Sequence, residues 1–121
     1  MIVYVTPVGK PRQTQSDRWK QRPAVMRYRA FADELRLKYR EDLPDSVSLV
    51  FFIPIPASWS KKKKAAMLGK PHQQKPDCDN LAKAVLDALK KEDQTVWRCH
   101  IEKYWAETGA IAITPYYETD R

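Results

Sequence analysis

Val47-Ser48-Leu49-Val50-Phe51-Phe52-Ile53-Pro54-Ile55 is the stretch on which the fold turns. It is β-branched and aromatic, almost unbroken in its apolarity, and closed by Pro54 and Pro56, as in a central strand covered on both faces. Toward the N-terminus, Val25, Tyr28, Ala32, Leu35 and Tyr39 recur at steps of three and four. That period predicts an amphipathic helix from Pro23 to about Arg40, with Pro23 suited to the first turn. Its other face carries Arg27, Arg29, Arg36 and Lys38. Ile2 to Thr6 reads as a short strand stopped by Pro7, and Gly9 to Gln21 as a polar, basic loop.

Toward the C-terminus, Ser58-Trp59-Ser60-Lys61-Lys62-Lys63-Lys64 and the polar stretch to Gln74 read as a mobile cationic loop. Leu81, Ala84, Val85, Ala88 and Leu89 then place a second helix over Asn80 to about Lys90, capped by Asp77 or Asp79. Val96 to Trp105 and Ala110 to Thr114 read as strands, and Gly109 in their short connection suggests a hairpin. The order β-α-β-loop-α-β-β predicts a small single α+β domain over residues 1–121, a mixed or antiparallel sheet packed with two helices.

The 121 residues leave room for one domain. No apolar run approaches the ~20 residues of a membrane span, and the start of the chain lacks a signal-peptide pattern. Two cysteines form neither a disulfide framework nor a CxxC pair, which predicts a cytoplasmic protein with reduced thiols. Lys and Arg number 22 against 15 Asp and Glu, a formal net charge of +7. The excess lies in residues 1–70, with 15 cations and 6 acids, whereas residues 71–121 hold 7 cations and 9 acids. Trp19, Tyr28, Tyr39 and Trp59 lie among the cations, which suits a polyanion such as nucleic acid; acidic substrates and acidic lipid surfaces carry the same charge.

Within this basic chain, Lys75-Pro76-Asp77-Cys78-Asp79-Asn80-Leu81-Ala82-Lys83-Ala84 holds the chemistry. Two carboxylates one residue apart, in an extended approach to a helix, point broadly the same way. Asp79, Lys83 and Asp87 follow at i, i+4 and i+8, one stripe opposite Leu81, Val85 and Leu89. A cap with i,i+4 ion pairs accounts for Asp79 alone. It leaves Asp77 as a second like charge, which a hard cation such as Mg²⁺ or Mn²⁺ would offset. Asp93, preceded by Glu92, follows the helix, and a strand running back alongside it, or a neighbouring strand start, would bring it toward the pair. Cys78, Cys99 and His100 lack closed zinc spacing, so the cysteines read as small buried apolar residues. His72 beside the lysine run could touch phosphate, but as a lone histidine in a polar loop it reads as exposed. Three glycines supply no phosphate-binding loop or nucleophile elbow.

The block Lys75 to Leu89 resembles the signature helix of the RusA family of Holliday junction resolvases, common in phages and prophages. Thr6-Pro7-Val8-Gly9-Lys10-Pro11-Arg12 and Ser58 to Lys64 are similar to prophage members, so the likeness covers nearly the whole chain as a single RusA-like endonuclease domain. It implies a homodimeric, Mg²⁺-dependent endonuclease that nicks opposed strands of a four-way DNA junction in recombination and repair. Asp77, Asp79 and Asp93 take the place of its catalytic, metal-holding acids and Lys83 that of its lysine; if the register slips by one, Glu92 replaces Asp93. Lys61, Lys62, Lys63 and Lys64, with Arg12, Arg18 and Arg27, would then supply backbone affinity. Two other classes compete: a non-catalytic basic nucleic-acid-binding module, whose binding needs no metal, and a restriction-enzyme-like nuclease, whose Glu-x-Lys the adjacent Glu102-Lys103 lacks.

Overall fold

Val47, Leu49 and Phe51 alternate with Ser48, Val50 and Phe52 along β2 (Ser46–Pro54), and only the first three are fully buried. The strand is central but covered by helices on one face, not two. Its serines at 46 and 48 already break the apolar run on the other side, as the two-residue period of a strand requires. The computed structural model describes residues 1–11 and 22–116. In chain order these form β1 (Ile2–Val3), α1 (Pro23–Lys38), β2, α2 (Lys61–Met67), α3 (Cys78–Leu89), a 3-10 turn (Asp93–Thr95), β3 (Arg98–Ala106) and β4 (Ala110–Pro115). The α+β domain expected from the sequence is present, with a mixed four-stranded sheet and three helices.

The sheet order is β1-β4-β2-β3. β3 pairs parallel to β2 and β4 antiparallel to it, so β3 and β4 do not form the expected hairpin. The reason lies in the connection before β3. A strand followed by a long helical crossover returns parallel beside its own start, and this takes one edge of β2. Residues 107–109 then carry the chain past the end of β2 to its free edge. Gly109 fits that passage because a side chain there would meet the Thr6 Cα at 2.7 Å.

α1 and α3 pack together on the inner face. Val25, Tyr28, Phe31, Ala32 and Leu35 of α1 meet Leu81, Ala82, Ala84, Val85 and Ala88 of α3, over Val47, Leu49, Phe51, Ile111 and Ile113 of the sheet. The alanines let the helices approach closely: Tyr28 donates its hydroxyl to the Ala84 carbonyl at 3.4 Å, and Arg36 Nε donates to that of Ala88 at 2.8 Å. Each fully buried Leu or Val in this set contributes about 1.5–3 kcal/mol. Arg36 and Lys38 stay exposed but are tied to their surroundings, the latter by the Tyr4 carbonyl and Glu34.

Two further expectations change. The lysine run is no loop: Ser60 accepts a hydrogen bond from the Lys63 amide and caps α2. His72 is buried rather than exposed, its ring 4.3 Å from that of Trp105, because residues 69–72 run along the outer edge of β3. Gly69 and His72 donate their amides to the carbonyls of Trp105 and Lys103, and Trp105 donates to Lys70. Among the described residues no helix is long and apolar enough to cross a membrane.

Candidate metal and nucleic-acid site

α3 begins earlier than the apolar period indicates, at Cys78. Asp77 is therefore the extended N-cap residue and Asp79 lies in the first helical turn. Asp77 makes no side-chain capping bond. Among the described residues neither carboxylate has an ion-pair or hydrogen-bond partner, and both are exposed. The i,i+4 pairs that would brace the stripe are likewise not formed. Asp87 turns to Lys10, 3.1 Å away, and leaves Lys83 exposed one turn beyond Asp79. Two acids at a helix start gain from the positive end of the dipole. Their mutual repulsion is nonetheless unrelieved by any described cation within salt-bridge range.

The chain around Asp77 is held from two sides. Gly9 lies so close to Pro76 that a Cβ there would stand 2.8 Å from the Pro76 Cβ, and Lys10 donates its amide to the Asn80 carbonyl at 3.1 Å. From β3, Lys103 Nζ donates to the Gln74 carbonyl at 2.6 Å and to that of Pro76 at 2.8 Å. The Lys75–Pro76 peptide between them is cis. An open groove of about 420 Å³ runs past Asp77, lined by Gly9, Lys10, Arg27, Lys75 and Asn80 among others. Arg27 is thus brought to the acids. Lys10, Lys75 and Lys103 also belong to this neighbourhood, and sequence reading missed them. The signal for Lys103 was there: it shares one face of β3 with Cys99, Ile101 and Trp105, a lone cation in an apolar row.

α2 is attached at the same end of the sheet. Trp59, just before it, packs at a tilt against Trp105 with ring centroids 4.8 Å apart, and Lys63 Nζ sits 4.1 Å over the Trp59 ring. Lys61, Lys62 and Lys63 are exposed, and Lys64 is half-buried beside Ile55 and Glu107. Arg12 and Arg18 lie outside the described residues.

Asp93 begins the 3-10 turn after α3, at the helix end away from Asp77 and Asp79. That segment is moored where β2 and β3 start. Lys90 Nζ reaches Asp45 at 2.7 Å, Thr95 Oγ1 donates to Asp45 at 3.2 Å, and the Trp97 amide donates to the Asp45 carbonyl at 3.0 Å. Lys103, which marks the acid pair, lies five residues along β3, roughly 16 Å of strand. Among the described residues no group of three or more His, Cys, Asp or Glu side chains is placed to hold a metal ion; the side chain of Asp93 is outside that set.

The remaining candidates stay structural. Cys78 and Cys99 are free thiols, and burial pushes the Cys99 thiol up. On the open sheet face Glu102 accepts from the Tyr104 hydroxyl at 2.5 Å and contacts His100 Nε2 at 2.6 Å. The Tyr104 bond, then His100, lowers its carboxyl below the ordinary value, while Lys103 points to the opposite face. Glu102 and Lys103 cannot act as a pair.

A basic α+β domain thus carries, at one end of its sheet, an acid couple without partners among the described residues, an open groove and a lysine helix. Residues 5–114 match the RusA endodeoxyribonuclease family, and the chain belongs to that family of DNA endonucleases. No curated protein and no solved structure gives a significant match.

Proposed function

We propose that the protein resolves four-way DNA junctions by paired, metal-dependent phosphodiester hydrolysis in recombination and repair. The observation that carries this reading is the Asp77–Asp79 couple at the start of α3, without partners among the described residues although cations lie nearby. Exposed carboxylates one residue apart at the start of a helix, without partners among the described residues, fit a hard divalent cation and fit poorly with a purely structural cap. Asp77 and Asp79 would hold Mg²⁺, or Mn²⁺ in its place, with Asp93, which stands at the other end of α3 in its own chain, as the third acid once a second subunit or a rearrangement brings it there. When bound, the ion supplies a water of lowered pKa and offsets charge on the attacking and leaving oxygens.

The chain's own groups do the rest. Lys83, one helical turn from Asp79, holds an ammonium where charge develops on the phosphoryl oxygens. Arg27 in the groove and Lys61 to Lys64 on α2, with Arg12 and Arg18, grip the backbone without regard to sequence. A four-way junction has approximate two-fold symmetry, so a homodimer presents two such sites to opposed strands.

The test is incubation with a synthetic junction and with linear duplex, in Mg²⁺ or in chelator. Symmetric nicks in the junction only, and only with metal, support the proposal. Asp79→Asn is then expected to abolish cutting and keep binding. Junction binding indifferent to metal, with no nicks, leaves a non-catalytic binding module, and cutting at the wild-type rate in Asp79→Asn removes the site from the helix.

A further inference from the structure

A lysine on the inward face of a strand must find oxygen acceptors, because an ammonium removed from water without them is costly. Lys103 is half-buried on the face of β3 that carries Cys99, Ile101 and Trp105, and it solves this by donating to two main-chain carbonyls, Gln74 at 2.6 Å and Pro76 at 2.8 Å. Both belong to the segment that delivers the chain to α3. The Pro76 carbonyl is the last acceptor before Asp77, since the next peptide group already carries the N-cap residue of the helix. On the other side the same proline is abutted by Gly9, where no side chain fits.

We infer that Lys103 is a positioning residue for the metal-holding acids: its ammonium, gripping the Gln74 and Pro76 carbonyls, fixes the backbone from which the Asp77 carboxylate projects. Asp77 needs such support from outside its own side chain because it makes no capping bond and has no partner among the described residues. An unsupported carboxylate at the end of an extended segment would sample many orientations, and each would have to be restricted when an ion binds. Lys103 removes that freedom in advance, as outer-shell partners do at other metal sites. The same lysine places a positive charge on the peptide group that precedes Asp77, and its field is felt by the neighbouring His72.

This inference rests on the reading of Asp77 and Asp79 as metal-holding acids, and its test is arranged so that the two fail separately. Binding of Mn²⁺ alone is followed by the resonance signal of the free ion, with junction cleavage and junction affinity in chelator measured beside it. Lys103→Met is expected to weaken Mn²⁺ binding by about 10- to 100-fold. It should raise the Mg²⁺ concentration for half-maximal cleavage in parallel and leave junction affinity in chelator within about twofold. Lys103→Arg, which keeps charge and donors, is expected to recover most of the loss. Wild-type Mn²⁺ binding in Lys103→Met overturns the inference, as does a loss confined to junction affinity, which would make Lys103 a DNA-binding side chain. If Lys103→Met melts below the assay temperature, Lys103→Gln decides by the same titration, and unchanged Mn²⁺ binding there overturns it too. A wild-type protein that binds Mn²⁺ through Lys103-supported acids yet leaves junctions uncut sinks the resolvase reading alone; one that binds no Mn²⁺ sinks both.

Discussion

Where β2 and β3 begin, Asp45 accepts from Lys90 at 2.7 Å and from Thr95 at 3.2 Å, and these bonds, Lys90 first, hold its carboxyl below the ordinary range. Where the same two strands finish, Asp77 and Asp79 accept from nothing among the described residues. Two of the lysines at that end are engaged elsewhere, Lys103 with main-chain carbonyls and Lys63 with the Trp59 ring, and Lys83 pairs with neither acid. The contrast separates an acid that fastens the fold from two acids that the fold leaves unengaged among the described residues, which the proposed function reads as ligands for a cation. Opposite consequences of the same Asp→Asn change at the two ends follow from it.

Asp77→Asn should lower junction cleavage by about three orders of magnitude or more, because a lost charge-stabilising oxygen ligand is worth several kcal/mol in the transition state. The fold should tolerate it, since the amide keeps the size and relieves repulsion from Asp79. Asp45→Asn should do the reverse, lowering the melting temperature while leaving cleavage near wild type. The sign of the pH dependence agrees. Asp45 has a depressed pKa in the fold, so its contribution is present above the ordinary carboxyl value of about 4 and fades as the pH falls below it. Cleavage kinetics and thermal melts on the two variants decide; a fully active Asp77→Asn protein would erase the contrast.

Asp93 tests the comparison from its far end, because its turn is moored beside Asp45 and not beside Asp77. Asp77→Asn and Asp93→Asn homodimers should each fail to cut. Mixing the two under exchange conditions should restore nicking at one strand if a second subunit supplies Asp93, and restore nothing if each chain uses its own. Smaller effects belong to α2. Replacing Lys61, Lys62 or Lys63 by Ala should weaken junction binding uniformly across sequences and reduce the slope of log affinity on log salt by about one for each phosphate left unneutralised. A change in metal requirement instead would place α2 in the chemistry.

The elements were largely legible in the sequence, and their neighbours less so. α1 and α3 followed from Val25, Tyr28, Leu35 and Leu81, Val85, Ala88, whose helical spacing survives into the core. The hairpin expectation at Gly109 failed because a local turn signal was weighed above the long crossover before β3, which dictates parallel pairing. The lysine helix was hidden because four like charges suggest a solvated loop, although Ser60 before them is a good N-cap. Of the site, Asp77, Asp79 and Lys83 were visible as a pattern. Lys103 left only the trace of a lone cation in an apolar strand face, which does not say what it grips, and Lys10 left none, since both act on main-chain carbonyls or side chains across the fold.

The smallest effect concerns His72, a buried ring at the acid end. Its ring is 97% removed from solvent by Trp105 and the edge of β3, and Nδ1 has no hydrogen-bond partner among the described residues. Burial, and then the Lys103 charge, push its pKa below the ordinary value. The unfolded chain therefore takes up a proton that the folded chain resists, and stability falls as the pH drops below about 6.5. Above that pH both states are neutral and the group contributes no slope. His72→Phe keeps a ring against Trp105 and removes the titration. Between pH about 7 and about 5.5 its melting temperature should decline less than that of wild type, while His100, common to both proteins, cancels in the difference. Parallel declines would mean that His72 protonates freely in the folded state, and the packing of residues 69–72 along β3, which also positions Lys103, would then be looser than the geometry requires.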